Sequence, residues 1–404
     1  KRLTHKKSTM PLKKLTLKPG INRENTRYTN EDGWYESDKI RFRQGTPEKI
    51  GGWQNITSSG SMYKGVARSL WNYITLASQN LLAVGTNQKL YIEFSGTYHD
   101  ITPLRITVTL ANDPISTTNT SRLVTITHVA HAAISGTFVT LTGATATGGI
   151  TLSGEYEVIT VLTADTYTII AATAATSTAT GGGASISAAY QINAGPAVST
   201  TAIGWGAGPW GFGGWGSDVA VGTAMRLWSI VNYGDDAIFA ERSGDIYYWT
   251  DDTSTWSRAV TLRTKVESLT KVNLFATFAS GATTIVVDDP TYITTGTIIA
   301  GSGIPAGAYV TTAWTGTVSL TISAATTSSG TVTAITSSYA GRHAPDETMG
   351  LVFSPIQNFL IALGSKSYSP TDFSTAFDPL MVRWSDQDNP YEWVPDSLNQ
   401  SGEQ

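Results

Sequence analysis

No cysteine occurs among the 404 residues, which removes disulfide frameworks and thiolate metal sites together. Charge is also scarce: 14% of residues are Asp, Glu, Lys or Arg, against about 25% in an ordinary soluble domain, while 41% are apolar and 10% aromatic. That balance excludes a disordered tail and a coiled coil. No run of about 18 apolar residues is present, so no membrane span is expected, and the basic start lacks the apolar stretch of a signal peptide. The expectation is a soluble chain made in the cytosol, with two or three domains by length.

What charge there is lies unevenly. Up to Trp53 there are 13 Lys and Arg against 6 Asp and Glu, a net +7, while the remainder holds 14 against 25, a net −11. A basic arm, residues 1–53, thus precedes an acidic body. Lys1 to Thr9 reads as a separate basic leader before Met10, the first plausible initiator.

Two stretches of the body share one texture. Leu104 to about Thr200 holds six charged residues and no Lys, in long runs of Thr, Ala, Gly, Ser and Val, and Val272 to Ser337 is similar. Alternating β-branched runs such as Leu123 to Thr127, Tyr156 to Val161 and Thr284 to Val287 sit between Gly or Asp turns, the signature of strands and hairpins. Residues 104–200 and 272–337 are therefore expected to be inserted small β domains of the sandwich (Ig-like) kind.

Between them, in 54–103, 201–271 and 338–404, a unit recurs. Asn80 to Gly85, Lys89 to Phe94 and His99 to Ile101 form the first copy; Asp236 to Glu241, Ile246 to Trp249 and Thr255 to Ser257 the second; Asn358 to Gly364, Leu380 to Ser385 and Tyr391 to Trp393 the third. Each is an apolar strand, a turn, an aromatic strand and a short aromatic edge. Anchored on Ala83, Ala240 and Ala362 and stripped of inserts, the repeat is roughly 60 and 56 residues, near the ~40–50 of propeller blades plus loops. A few antiparallel strands cannot bury both faces alone, so the units must stack. The fold class expected is all-β, with propeller-like blades and two inserted β domains, the propeller incomplete because three blades do not close a ring.

Two stretches carry a resemblance. Met10 to Tyr28, then Trp34 to Trp53, resembles the opening of tail nozzle proteins of short-tailed bacteriophages, the group that includes the packaged-DNA stabilisation proteins; Val382-Arg383-Trp384-Ser385-Asp386 with Asn389-Pro390, Trp393, Pro395 and Asn399-Gln400 resembles an interior segment of that family. The resemblance implies a propeller-based virion protein in a hexameric ring beneath portal and adaptor. Such a ring is a tail conduit that retains packaged double-stranded DNA and passes it at ejection. It implies as partners further copies of the chain, the adaptor (head-to-tail connector), a tail fibre or tailspike, and DNA in transit. Family members continue beyond the Asn399-Gln400 segment, so completeness of the propeller here is in question.

Candidate chemistry is sparse. His128 and His131 stand three apart in an apparent strand, on opposite faces, which disfavours a shared metal. Asp288-Asp289, Asp251-Asp252 and Asp235-Asp236 read as turn acids. Gly301-Ser302-Gly303 lacks the Lys-Ser/Thr ending of a phosphate loop, and neither His99 nor His343 has a nucleophile context. No catalytic residue, metal or cofactor is assigned, and the chain is not expected to be an enzyme. A propeller hydrolase would require an Asp/Glu/His pocket on the axis. Trp205, Trp210 and Trp215 recur every five residues in a Gly-rich stretch without Lys or Arg, which favours packing over stacking on single-stranded bases. Arg41, Arg43, Lys49 and Trp53 are the candidates for docking the arm on the adaptor. The DNA gate residues are unknown. The competing reading is a receptor- or glycan-binding tail module acting through the inserts.

Overall fold

The structure, a computed structural model, describes residues 18–24, 26–29, 33–52, 60–199, 225–252, 254–291, 293–312, 318–397 and 399–404. The chain divides into two compact units, Lys1–Ser58 and Ser59–Gln404. In the first, strands Ile40–Arg43 and Thr46–Lys49 form an antiparallel hairpin, with Arg41 opposite Glu48. Its turn is tight because Gln44 and Gly45 both take positive φ, 49° and 79°.

The second unit is all-β apart from one short helix and one 3₁₀ turn among the described residues. Three four-stranded antiparallel sheets are its blades. The first runs Ala67–Ile74, Asn80–Thr86, Leu90–Phe94, Thr97–Asp100; the second Trp228–Tyr233, Asp236–Glu241, Ile246–Trp249, Val260–Thr261; the third Gly350–Ser354, Phe359–Lys366, Phe377–Trp384, Gly402–Glu403. Each meanders in sequence order, and the first strands of adjacent blades approach one another, so the sheets fan out from one edge as in a propeller.

Period-two alternation in the middle blade holds the fan together. Ala237, Phe239, Tyr247 and Trp249 enter a core shared with Leu81, Ala83, Leu90 and Ile92 of the first blade. The intervening Ile238, Ala240, Ile246 and Tyr248 enter a second core with Leu351, Leu360 and Ala362 of the third. One strand pair thus seals two interfaces because its side chains alternate faces. Each fully buried large apolar side chain contributes about 1.5–3 kcal/mol. The helix Leu262–Ser268 closes the second core with Leu262 and Val266, capped by the Thr261 hydroxyl accepting from the Thr264 amide.

Three details differ from expectation. The blades begin one strand earlier than the repeat suggests, at Ala67, Trp228 and Gly350. The fourth strands of the second and third blades are Val260–Thr261 and Gly402–Glu403, whereas Thr255 to Ser257 and Tyr391 to Trp393 are loops. The repeat anchor also slips: Ala83 and Ala240 face the following blade, but Ala362 faces back toward the second. A one-residue offset turns a strand residue to the other face.

The first insert is a sandwich of a four-stranded and a five-stranded sheet around Val124, Ile126, Val139, Leu141, Tyr167 and Tyr190. Tyr156 to Val161, read as one run, changes sheet midway: Gly154–Glu157 belongs to one and Thr160–Thr163 to the other. In the second insert a five-stranded sheet curls on itself. The Tyr309-Val310 segment bridges Ile298 on one side and Ile322 on the other, enclosing Leu274, Ile285, Ile299, Val310, Leu320 and Ile335.

Candidate functional site

Polar side chains converge at three places in the larger unit. At the root of the first insert, Lys89 lies in the turn between two blade strands and is 1% exposed. The Thr86 hydroxyl fixes that turn by accepting from the Gln88 and Lys89 amides at 3.1 and 2.8 Å. Lys89 Nζ donates to Asp100 Oδ2 and Glu155 Oε1, both at 2.6 Å, and lies 4.3 Å from the Phe138 ring centre. Arg258 of the second blade donates to Asp100 Oδ1 at 3.3 Å, and Gln191 to Glu155 Oε1 at 2.6 Å. Burial pushes the Asp100 carboxyl up, but Lys89 and Arg258 outweigh it and hold the group below its ordinary value. Lys64 joins as a third cation, 3.6 Å from Glu155 Oε2, so three cations and two carboxylates satisfy one another and the cluster fastens two blades and an insert together.

The second place lies between the hairpin ends of the first two blades. Asp235 accepts from the Leu76 amide at 2.7 Å, and Asp236 from the Asp251 amide at 2.7 Å and the Tyr248 hydroxyl at 2.6 Å. Burial first, then Asp235, Asp236 and Asp252, push Asp251 upward. Asp252 behaves oppositely: hydroxyls and amides of Ser254 and Thr255 bring it down to about 2.

The third is built by residues that carry the family resemblance. Arg383, 4% exposed, donates to the carbonyls of His343 at 2.7 Å and Trp393 at 3.0 Å. Trp384 Nε1 donates to the Gln400 carbonyl at 2.8 Å, Trp393 Nε1 to that of Pro390 at 2.8 Å, and Asn399 Nδ2 to that of Val394 at 2.8 Å. The Ser385 hydroxyl accepts from the Leu360 amide at 3.1 Å, and Asp386 from the Gln400 amide at 2.7 Å. The motif is therefore an interlocked corner of the third blade. Burial brings the Arg383 guanidinium down to about 10 and His343 to about 4, His343 Nε2 donating to the Thr295 carbonyl at 3.0 Å.

The remaining candidates are dispersed. Arg41 and Arg43 lie on one face of the arm hairpin and Lys49 on the other; Arg41 is paired to Glu48 at 3.3 Å. Trp53, Trp205, Trp210 and Trp215 lie outside the described residues. His128 and His131 sit in a turn rather than a strand. His128 Nδ1 is 2.8 Å from the Tyr190 hydroxyl, and His131 Nδ1 accepts from the Ala133 amide at 3.0 Å. His99 stacks on Trp256, ring centres 3.6 Å apart. Asp289 caps its own turn by accepting from the Thr291 amide at 3.0 Å, Asp288 accepts from the Phe275 amide of the neighbouring strand at 2.9 Å, and Gly301 to Gly303 form a turn. Among the described residues no three His, Asp or Glu side chains are gathered for a metal. Sequence reasoning missed Lys89; the available signal was a lone Lys beside the apolar run Leu90 to Ile92.

No family model matches the chain, and no curated protein matches it. Among solved structures, the phage phi92 endosialidase is similar over 88% of this chain and 50% of that one, at 14% identity and a TM-score of 0.20. The chain thus spans about half of that protein's length. That neighbour is an enzyme by name, and this overturns the expectation that the chain is not one. A likeness of that size brings no activity or residue role to this chain. No helix among the described residues is long and apolar enough to cross a membrane.

Proposed function

We propose that the chain is a tail nozzle subunit of a short-tailed bacteriophage, a member of a hexameric ring that adjoins the adaptor, retains packaged DNA and passes it at ejection. The observation that carries this reading is the third-blade corner. Arg383, Trp384, Ser385, Asp386, Trp393 and Asn399 hold one another in place by buried or charge-assisted bonds, so the sequence resemblance falls on residues that specify a scaffold. The acidic body suits a conduit: phosphates slide past a lining of their own sign, whereas a basic lining would hold them by counterion release. The arm, with Arg43 and Lys49 exposed, is the element assigned to the adaptor.

A second reading, a glycan- or receptor-binding tail module, is favoured by one feature. The outer face of the second insert carries an open groove of about 460 Å³, where half-exposed Phe275 stands beside Ala300, Gly301 and Ala334. Electron microscopy of the purified protein separates the two. Rings with an open bore that attach to adaptor-bearing heads, and fail to attach once residues 10–53 are deleted, are the expected outcome. Particles without a bore that are retained by immobilised host glycans would replace the nozzle reading with the second.

A further inference from the structure

We infer that Arg342 anchors a binding site for a single carboxylate group, set where the second insert returns to the third blade. Arg342 occupies the 3₁₀ turn Gly341–His343, between the insert's last strand, Gly330–Ser338, and the first strand of the blade. Two rings at right angles hold its guanidinium. It lies 3.9 Å from the ring centre of Tyr309, on the insert, and 5.6 Å from that of Phe373, in the loop between the blade's second and third strands; the two ring planes cross at 88°. His343 backs this corner, 4.9 Å from both Phe373 and Tyr368, and is itself fixed by bonds to Thr295 and Arg383. Stacking of this kind orients the guanidinium plane and leaves its edge, where the donors lie, available to an acceptor.

The charge there is uncompensated. Around the recess that Arg342 lines, Lys366 is held by Asp346 at 3.1 Å, Asp372 accepts from the Ser374 amide and hydroxyl at 2.8 Å each, and Arg383 donates to the His343 and Trp393 carbonyls. Among the described residues Arg342 has neither a hydrogen bond nor an ion pair, and its Nε is buried without a partner. A buried donor on a cation is costly until an acceptor meets it. One positive charge calls for one negative charge, and a planar fork of donors matches the geometry of a carboxylate. The recess encloses about 20 Å³, room for about one or two water-sized atoms, so it takes the oxygens of a carboxylate and is too small for a phosphate. The rest of the ligand stays outside, which leaves two sources of the same chemistry: a small free organic acid, or an Asp or Glu side chain of a docked polypeptide. The inference stands apart from the tail reading.

The test titrates the full-length, isotope-labelled chain with sodium acetate at pH 7, in sodium chloride that keeps the ionic strength constant, and reads the arginine Nε–H signals by NMR. The Arg342 signal is the one absent from Arg342→Lys. It should move saturably, with a midpoint of about 1–30 mM, the range of one bidentate ion pair. Acetate should also raise the melting temperature of the wild type. Arg342→Lys keeps the charge but not the fork, and should need at least tenfold more acetate for the same rise. Should that variant not fold, the backbone amide signals of Arg342, His343 and Phe373 in the wild type decide instead: saturable movement with acetate supports the site, and none refutes it. A Gly-Glu-Gly peptide with blocked ends separates the sources. Binding at least tenfold tighter than acetate assigns the site to an acidic side chain, equal or weaker binding assigns it to a free acid, and either carries the proposal. An Arg342 signal that does not saturate with acetate, or that chloride or phosphate moves equally, overturns it, as does an unchanged acetate requirement in folded Arg342→Lys.

Discussion

The Trp228 side chain packs directly against Gly85 and donates its Nε1 hydrogen to the neighbouring Thr86 carbonyl at 2.6 Å, so the first two blades meet where one of them has no side chain. A Cβ at position 85 would stand 2.7 Å from Trp228 Cδ1 and 3.0 Å from its Cβ. Gly85→Ala should therefore destabilise the protein by about 1–3 kcal/mol, the usual cost of overpacking. Urea unfolding should show a lower midpoint with an unchanged slope. In a Trp228→Ala background the added methyl should cost less, and a double-mutant cycle reads that coupling.

The Lys89 cluster predicts a pH-dependent cost. Lys89→Met removes the cation between Asp100 and Glu155, which keep Arg258 and Lys64 as longer-range partners, and should cost about 1–3 kcal/mol at pH 7, the usual penalty for a lost buried hydrogen-bond partner. Asp100, held below its ordinary value in the fold, contributes stability that is present above its unfolded pKa near 3.8 and lost as pH falls through the lower folded value. In the variant a protonated carboxyl no longer requires a cation. The gap between wild type and variant should therefore stay level near neutral pH and narrow only as pH falls through the carboxylate range; a constant gap there would mean that Lys89 acts through packing alone.

His343 and Asp245 oppose each other in the same pH window. Burial brings His343 down from 6.5 to about 4, so between those values the unfolded chain binds more protons and stability rises with pH. Burial, then Glu241 and Asp346, push Asp245 from 3.8 up to about 6, so the folded chain binds more and stability falls with pH. Each slope is at most about 1.4 kcal/mol per pH unit, and less for Asp245, whose partial exposure lets solvent screen it. The wild type should show only a shallow net rise between pH 4 and pH 6, because His99 and His128, also lowered by burial, act with His343. His343→Gln should expose a stability that falls as pH rises, and Asp245→Asn the reverse; thermal melts across that range measure both.

Much of the fold was legible because strands with one wet face declare themselves. Leu123–Thr127 and Thr284–Val287 match their sequence runs residue for residue. The first strand of the first blade was not legible: in Arg68-Ser69-Leu70-Trp71-Asn72 polar and apolar residues mix on both faces because the strand lies at the edge of the fan. The third-blade offset was hidden for another reason. Ile361 and Ala362 are both apolar, and only the cross-strand pairing with Trp384 and Arg383 shows which one turns forward. The Lys89 network was beyond sequence reasoning, since Glu155 reaches Lys89 from 66 residues away and Gln191 and Arg258 join it through Glu155 from farther still. The Val382 to Gln400 segment was visible as a pattern, but that its polar atoms bond one another needed coordinates.

Both inserts should behave as separable modules rooted on paired strands. Gln191 lies opposite Leu104 across the first insert's entry and exit, and the Ile192 amide donates to the Pro103 carbonyl at 3.1 Å. In the second insert Thr270 lies opposite Ser338. Entry and exit are thus already neighbours, so a two-residue Asn-Gly turn from Pro103 to Ile192 can replace residues 104–191 with little movement of either end. The deletion leaves Lys89 with Asp100 but without Glu155, exchanging one carboxylate for water near the surface, so it should cost about 1–3 kcal/mol rather than unfold the blades. Conversely, residues 104–191 have their own core, with Val124, Ile126, Val139 and Leu141 fully buried, and should melt cooperatively when expressed alone. Near-ultraviolet dichroism of the deletion variant reads the blade aromatics Trp228, Tyr247 and Trp249, and calorimetry reads the isolated insert. Loss of the aromatic signal on deletion would show that the first insert is a structural part of the fan.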